Sequence, residues 1–287
     1  MTSGGAAPGS LWLVGTPIGN RADLAPRARE ILGRVGIVAC EDTRTCLALY
    51  GWMGLKPPEL VAYHDHNAGA VAPRLVARLA AGEDVALVSE AGMPAIQDPG
   101  YRLVVAAREA GIDVVPVPGP SALILALAAA GLPTDRFAFL GFAPRRGREA
   151  WWSEALERSE TVVVYEAPTR VPATLAAIAE LAPERAVCLA RELTKVHEEF
   201  VAGTAGSVAA ELAGREGRLR GECVIVLGGT GEAGAPRPLP WREALRELRR
   251  DRTGKDLSAR GLVDVLACVY PGERNAIYRA VQEEVGK

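Results

Sequence analysis

The sequence lacks several features that would place the protein in a special class. Cysteine is scarce: there are five, an odd number, and no two stand in a CxxC pair. This usage argues against a disulfide framework or a zinc site and fits reduced thiols in a cytoplasmic protein. An excess of one charge is lacking too, since the formal net charge is −2. Any surface that binds nucleic acid must therefore be local.

Long hydrophobic runs and familiar nucleotide-binding motifs are also absent. The longest apolar stretch, Ala122 to Ala130, falls far short of the roughly 20 residues that a membrane helix needs, and the N-terminus lacks the basic segment of a signal peptide. The loop from Gly15 to Gly19 has neither GxGxxG nor P-loop spacing. His64 and His66 stand without a further ligand at metal-binding spacing. We predict no membrane segment and no metal site.

The strongest positive signal is a βαβ unit between Val85 and Pro120. Two apolar strands, Val85 to Val88 and Val114 to Val117, flank an amphipathic segment, and each strand ends in a loop rich in glycine and proline. Ligands of open α/β sheets bind outside the carboxyl ends of the strands, where glycine lets them approach free backbone N–H groups. We therefore predict that these two loops hold a small molecule.

Apolar runs alternate with helical spacing on both sides of this unit, which predicts two α/β halves of about five strands each. Asp23 is the expected N-cap of the first helix, and the segment after Pro120 is apolar on every side, which predicts a buried helix between the halves. The predicted domains are residues 11–118 and 119–228, followed by a linker at 229–240 and a three-helix module at 241–287. The other predicted strands are Leu11–Val14, Ile37–Cys40, Phe137–Leu140, Thr161–Tyr165, Ala186–Ala190 and Val224–Leu227.

Three segments of the sequence have two interpretations each. Glu41 and Asp42 follow a strand and either contact a substrate or cap the next helix, and capping is the favoured interpretation. The arginine-rich loop Arg145–Arg148 follows Phe142 and either contacts phosphates or is a solvated run of charge. The helical module either recognises a substrate or partner or packs as an ordinary part of the protein.

Together, the motifs LWLVGTPIGN, ACEDTR, HDHN, SEAGMPAIQDPG, VPGPSA, YEAPTR, RELTKVHEE and GECVIV resemble the tetrapyrrole methylase superfamily. They run in the family's order from Leu11 to Leu227, and the tail resembles the helix-turn-helix-like extension of some members. Within the superfamily the chain is most similar to the branch that methylates a cytidine ribose 2′-hydroxyl in the decoding region of bacterial 16S rRNA. The resemblance implies two α/β domains with an S-adenosylmethionine cleft between them. It also implies a cytoplasmic homodimer that acts on 16S rRNA within a small-subunit particle.

The resemblance carries over to individual positions for the cofactor contacts, whereas the candidates for catalysis and for RNA contact come from the residues themselves. Candidates for a general base are Glu90 and Glu192, with Lys195 and Arg170 placed to bind phosphate or to lower the pKa of a neighbour. Cofactor contacts are expected from Gly15, Thr16, Pro17, Gly92, Met93, Ile96, Ser121, Ala122, Tyr165, Gly221 and Glu222. RNA contacts are expected from Arg44, His64, Asn67, Arg145, Arg146, Arg148 and Arg170.

Four positions depart from the family pattern. Met93 stands in place of threonine, Gln97 in place of serine and Cys223 in place of phenylalanine. Ala68 replaces a glutamate, which weakens a catalytic role for the histidine cluster before it. Two rival functions fit the same loops: a methyltransferase acting on a corrin or porphyrin precursor, and a non-catalytic nucleotide-binding regulator or an oxidoreductase. The arginine loop and the helical tail disfavour the first rival, and the missing GxGxxG motif disfavours the second.

Overall fold

The computed structural model describes residues 7–215, 217–230, 241–250 and 257–285. The chain divides into two compact units, Met1–Gly234 and Ala235–Lys287. The first unit contains two five-stranded sheets, and the second contains helices. None of the helices in the described part of the chain combines the length and the hydropathy needed to cross a lipid bilayer.

The first sheet is entirely parallel, with strand order β3-β2-β4-β1-β5. Its strands are β1 (Leu11–Val14), β2 (Ile37–Cys40), β3 (Glu59–Ala62), β4 (Val85–Val88) and β5 (Val114–Val117). All residues of β2 and β4 are buried, as expected for strands with helices on both faces. The four predicted strands are confirmed, but the sequence missed β3. This edge strand buries none of its residues fully, so its pattern is not that of a buried strand.

Helices follow each of the first four strands: α1 (Pro26–Arg34), α2 (Thr43–Met53), α3 (Ala68–Ala80) and α4 (Tyr101–Glu109). The favoured role of Asp42 is confirmed, since its carboxylate accepts a hydrogen bond from the backbone N–H of Arg44 at 2.8 Å and caps α2. The role predicted for Asp23 is wrong. Asp23 belongs to a short 3₁₀ turn capped by Asn20, and α1 begins at Pro26 without a side-chain cap, because proline itself favours the first helical position.

The second sheet has the order β6-β7-β10-β8-β9 and is mixed. Its strands are β6 (Phe137–Phe142), β7 (Thr161–Glu166), β8 (Ala186–Arg191), β9 (Glu199–Thr204) and β10 (Cys223–Leu227). Strands β6 and β7 are parallel, whereas β10 runs antiparallel to both β7 and β8. Cys223, at the start of β10, therefore lies opposite Glu166 and Arg191, which end those two strands. The sequence missed β9, another edge strand with mostly exposed side chains.

The helices of the second half are α5 (Ala122–Ala129), α6 (Arg148–Glu157), α7 (Val171–Leu181) and α8 (Ala205–Ala213). The prediction that α5 is buried on every side is wrong. Ala126 and Leu127 face a core cluster shared with β7, β8 and β10, but Ile124 and Leu125 are 50% and 37% exposed. One apolar face of α5 is thus partly exposed in the described part of the chain.

The second unit contains α9 (Trp241–Arg250), α10 (Ala259–Val269) and α11 (Arg274–Val285). A small apolar cluster that includes Leu245, Leu262 and Ile277 joins the three helices. The predicted module of three helices is confirmed, and the described part of this unit contains no strand. Most of the predicted linker, and the predicted helix start at Lys255, lie outside the described residues. The boundary proposed at residues 118 and 119 stays a prediction.

Candidate cofactor and substrate site

A cavity of about 430 Å³ lies where strand ends from both sheets meet. The first half contributes the loop after β4 and the start of α5. The second half contributes the ends of β6 and β7, the loop after β8 and the start of β10. The antiparallel direction of β10 brings its first residues beside the end of β7. The predicted ligand loop after β4 thus lines a cavity at the carboxyl ends of strands, where α/β sheets bind ligands.

Backbone contacts fix the loops after β1 and β4 to each other. The N–H of Thr16 donates to the carbonyl of Gly92 at 2.9 Å, and the N–H of Gly92 donates back to Thr16 at 3.0 Å. The loop after β1 also touches the loop after β5. A Cβ added to Gly15 would lie 2.7 Å from the Cα of Gly119. Both positions therefore require glycine for this close approach of two backbones.

The loop after β4 has an unusual backbone. Gly92, Ala95 and Gln97 all have positive φ, at 84°, 68° and 63°, and the last two are conformations that side chains with a Cβ rarely adopt. Gln97 packs against Gly141 of β6, where an added Cβ would come within 3.0 Å of the amide group of Gln97. The surrounding fold thus holds this strained loop in place, a feature that often accompanies functional sites.

The larger cavity is acidic. Glu90, Asp98, Glu166 and Glu222 border it, and no lysine or arginine does so among the residues that the structure describes. Burial first, and then the nearby carboxylates of Glu41 and Glu90, raise the pKa of the Asp98 carboxyl to about 6. Asp98 makes no hydrogen bond or ion pair with another described residue, so its charge is available for a cationic ligand.

A second cavity of about 270 Å³ adjoins the first, and Glu90 borders both. The ends of β1, β2 and β4 form its base, and α2 forms one wall. The wall includes Trp52, over whose ring the guanidinium group of Arg21 lies at 5.5 Å from the centroid. Thr16 and Glu41 also line it. Glu90 is therefore the carboxylate that two adjacent cavities share.

Comparison with known proteins agrees with this geometry. The family model for tetrapyrrole (corrin/porphyrin) methylases matches residues 10–209. A crystal structure of uroporphyrin-III-C-methyltransferase from Thermus thermophilus is 25% identical and has a TM-score of 0.51, covering 77% of this chain and 94% of its own. The ribosomal RNA small subunit methyltransferase I of Mesorhizobium japonicum is 42% identical over 96% of this chain and 92% of its own. That of Pseudomonas aeruginosa is 40% identical over 97% and 99%.

The chain belongs to the ribosomal RNA small subunit methyltransferase I family of tetrapyrrole methylases. Most of the cofactor contacts expected in this family meet at the larger cavity. These are Gly92, Met93, Ile96, Ser121, Ala122, Tyr165, Gly221 and Glu222. Thr16 and Pro17 line the smaller cavity instead, and Gly15 lines neither but supports the loops through Gly119. The individual contacts with a cofactor remain predictions.

Asp98 is the residue at the cavity that the sequence reasoning missed. Its motif SEAGMPAIQDPG was singled out for glycine and proline, not for its acid. A carboxylate in a loop is usually exposed, and the sequence alone does not reveal that this one is partly buried. The signal that was available is an acidic residue inside a loop already expected to bind a ligand of this methyltransferase family.

The candidates for a general base lie in different surroundings. Glu90 borders both cavities and has an exposed side chain. Glu192 and Lys195 border neither cavity. Lys195 Nζ contacts Glu192 at 2.8 Å and Glu222 at 3.0 Å. The hydrogen bond from Lys195 lowers the pKa of Glu192, so Glu192 is a weaker base than a free glutamate.

The loop that carries Glu192 and Lys195 contacts the loop after β1, so it packs the second half of the fold against the first. Glu192 and Thr194 have positive φ, at 51° and 66°. The N–H of Asn20, in the loop after β1, donates to the hydroxyl of Thr194 at 3.1 Å, and the side chain of Lys195 packs against Gly19. This geometry favours a structural role for Lys195 at the junction, and the catalytic role predicted from sequence stays a prediction.

The predicted RNA contacts in the first half lie at the ends of β2 and β3. Arg44 is highly exposed and pairs with Asp42 at 2.6 Å. That contact lowers the pKa of Asp42 to about 2. Asn67 stabilises its own turn, accepting from the N–H of His64 at 2.9 Å and donating to the carbonyl of Ala62 at 2.9 Å. Arg44 is thus exposed but paired with Asp42, and Asn67 is engaged within the turn, so the RNA contacts of both stay predictions.

Two of the residues that depart from the family pattern, Met93 and Cys223, border the larger cavity, and a third, Ala68, lies elsewhere. Met93 borders the larger cavity and its sulfur lies against Gly15. Cys223 is buried at the edge of the same cavity, and burial raises the pKa of its thiol to about 12, so it stays protonated. Ala68 is buried at the start of α3. It leaves no carboxylate at that position beside the histidine cluster.

Proposed function

We propose that this chain transfers a methyl group from S-adenosylmethionine to the ribose 2′-hydroxyl of a cytidine in the decoding region of bacterial 16S rRNA. We propose further that it acts in the cytoplasm, as a homodimer, on an assembled small-subunit particle. Relatives that match nearly the whole chain bear names that specify small-subunit ribosomal RNA as their substrate. The acid-lined cavity is the observation in this chain that carries the proposal.

The cavity fits the charge of the cofactor. S-adenosylmethionine supplies an electrophilic methyl group on a positively charged sulfur, and its ammonium and carboxylate groups leave the molecule with a net charge of +1. Asp98 and Glu90 offer carboxylates without a basic partner at the larger cavity. Met93, Ile96 and Ala122 offer apolar contacts, and the N–H groups of the glycine-rich loops suit a small polar molecule. A cation is therefore the ligand that this cavity favours.

The chemistry asked of the protein is mainly alignment. The donor is already activated, so the site must hold the hydroxyl oxygen in line with the methyl group, an effect worth up to about 7–11 kcal/mol. A base that accepts the hydroxyl proton adds roughly 10²–10⁴-fold in rate. Glu90 is our proposed base, because it alone among the predicted catalytic residues borders both the cofactor cavity and the adjoining one. The adjoining cavity is then the expected side of approach for the acceptor.

The homodimer rests on the exposed apolar face of α5. Ile124 and Leu125 are large hydrophobic residues that remain 50% and 37% exposed in the described part of the chain. Contiguous exposed apolar surface commonly marks a protein interface. The first residues of the same helix border the larger cavity, so a partner covering α5 would also stabilise the cofactor site.

Two measurements test the proposal. Isothermal titration should show binding of S-adenosylmethionine but not of NAD. Methyl transfer from labelled S-adenosylmethionine should then be compared on small-subunit particles, naked 16S rRNA and uroporphyrinogen III. We expect label in the RNA of the particles. Label in the porphyrinogen alone would support the tetrapyrrole alternative, and cofactor binding without transfer to any acceptor would support a regulator.

A further inference from the structure

Glu166, the last residue of β7, is an acidic side chain with no exposed surface. Its carboxylate is 0% exposed, although the residue lies at the edge of the larger cavity. A carboxylate in such a position is costly unless it is paired and fully hydrogen-bonded. The contacts that satisfy Glu166 come from α6, from α7 and from the residues just before α7.

Two arginines and a threonine surround this carboxylate. Arg148 Nη2 lies 2.7 Å from Oε2 and Arg170 Nη2 lies 2.7 Å from Oε1. The hydroxyl of Thr174 contacts Oε2 at 2.9 Å, and the N–H of Ala167 donates to Oε1 at 2.9 Å. Both oxygens of Glu166 are therefore fully engaged, which excludes Glu166 as a general base.

Arg148 extends this network into the arginine-rich loop. Its Nη1 donates to the carbonyl of Pro144 at 3.0 Å, and the preceding residue of the loop, Ala143, donates its N–H to the carbonyl of Tyr165 at 3.1 Å. Between these contacts and the start of α6, Arg145 and Arg146 are exposed and make no hydrogen bond or ion pair with any described residue. The loop is thus held at its base while two cations face solvent.

We propose that Glu166 is a positioning residue that presents Arg145 and Arg146 to the phosphates of the RNA. It holds Arg148, and Arg148 holds the loop against the rim of the cofactor cavity. Arg148 and Arg170 then act within the protein, and only the other two arginines of the predicted set contact phosphate from this face. The inference rests on the proposed RNA substrate, because it states how that substrate is held next to the cavity.

The first test measures the loop without RNA. Glu166→Gln removes the charge in an isosteric side chain. Arg148→Ala cuts the tether but leaves Glu166 paired with Arg170, so one variant is expected to fold even if the other does not. Limited trypsin digestion of the full chain should cleave after Arg145 and Arg146 about tenfold faster in both variants, because cleavage follows the population of the released loop. Glu160→Gln, which breaks a more exposed glutamate–arginine pair with Arg158 elsewhere in this half, is the control for the loss of one glutamate charge.

The second test measures RNA recognition on small-subunit particles. Arg145→Ala/Arg146→Ala should raise the KM for the particle by about three- to tenfold and reduce the salt dependence by about two contacts. Glu166→Gln should do the same, and Arg148→Ala, whose side chain does not line the cavity, should do so with the Kd of S-adenosylmethionine unchanged. Added to the double variant, Glu166→Gln should raise KM no further, because it acts through the same two side chains. A merely structural role would give additive losses and weaker cofactor binding.

The outcomes separate this inference from the proposed function. Unchanged cleavage in both Glu166→Gln and Arg148→Ala would overturn the positioning role. Faster cleavage with a wild-type KM, or an additive loss in the combined variant, would overturn it too. If the wild-type protein transfers no methyl group to particles, the proposed substrate fails and the RNA part of the inference fails with it. The digestion would still show whether the tether exists.

Discussion

Asp98 gives the sharpest prediction, because its charged carboxylate destabilises the unliganded protein and a bound cation would offset that destabilisation. The pKa of Asp98 is raised from 3.8 to about 6, first by burial and then by the carboxylates of Glu41 and Glu90. From the second half of the fold, Tyr165 also faces this group, since the charge of Asp98 raises the pKa of the Tyr165 hydroxyl. The Asp98 carboxyl therefore keeps its proton up to about pH 6 in the unliganded fold, and above that pH it carries its charge at a cost.

The sign of the pH effect follows from the raised pKa. Below pH 4 the group is protonated in both the folded and the unfolded state, so it has no effect on stability. As pH rises from about 4 to about 6, the unfolded chain releases this proton while the folded protein keeps it, so stability falls across that window and is level above it. The rise in the pKa of Asp98 from 3.8 to about 6 lowers the free energy of unfolding by roughly 3 kcal/mol, and this cost is fully present above pH 6.

The Asp98→Asn variant should remove this cost. The unliganded protein should gain up to roughly 2–3 kcal/mol at pH 7.5, about 2–4 °C in Tm for each kcal/mol, and nothing at pH 4. The same variant should lose affinity for S-adenosylmethionine by at least about thirtyfold, since removing one partner of a partly buried charge pair costs about 2–5 kcal/mol. The wild-type affinity should fall as pH drops below 6, because the carboxylate becomes neutral.

Thermal denaturation at pH 7.5 and pH 4 measures the effect on stability, and isothermal titration at pH 7.5 and pH 5 measures the effect on cofactor affinity. Asp135→Asn, which replaces an exposed carboxylate outside the two cavities, is the control and should change neither. A less stable Asp98→Asn protein with unaltered cofactor affinity would refute the reasoning. So would a wild-type affinity that does not change between the two pH values.

Three further predictions concern other parts of the fold. Gly92→Val should abolish cofactor binding, because valine is strained at a φ of 84° and its side chain would enter the cavity; a Gly54→Val variant, also at positive φ but with open space around it, controls for strain alone. Ile124→Glu should convert a dimer to monomers in sedimentation analysis and weaken cofactor binding. Truncation after Thr230 should leave a folded protein that binds the cofactor with normal affinity but methylates particles poorly, as seen by Tm, titration and transfer assays.

Each of these three has a contradicting result. Equal loss of cofactor binding in Gly54→Val and Gly92→Val would show that backbone strain, and not obstruction of the cavity, explains the loss. An Ile124→Glu protein with the sedimentation behaviour of the wild type would place any interface elsewhere. Full activity on particles without the second unit would end its proposed role in substrate recognition.

Burial on both faces of a strand decided which parts of the fold could be predicted. The strands β2 and β4 bury every residue, so short apolar runs predict them well. The strands β3 and β9 lie at sheet edges and expose many of their side chains, so their sequences look like loops. The apolar composition of α5 predicted burial, but composition does not distinguish a helix in the core from one that offers a face to a partner.

The loops that form the site could be predicted from the sequence, but the ion pairs between its side chains could not. Glycine and proline after strands predicted which segments meet, since carboxyl ends of parallel strands lie at one edge. The contact between Lys195 and Glu222 could not be read from the sequence. Glu222 lies beside Glu192 only through the register of β8 with β10. The same is true of Arg148 and Arg170, whose contact with Glu166 depends on how α6 and α7 pack on β7.

The most direct test of the account is to map ribose methylation in 16S rRNA from a strain that lacks this gene. We predict the loss of 2′-O-methylation at a single cytidine of the decoding region, restored by the wild-type gene and not by Asp98→Asn. Unchanged methylation of the decoding region in the deletion strain, or a lost methyl group on a base or outside 16S rRNA, would contradict the central claim.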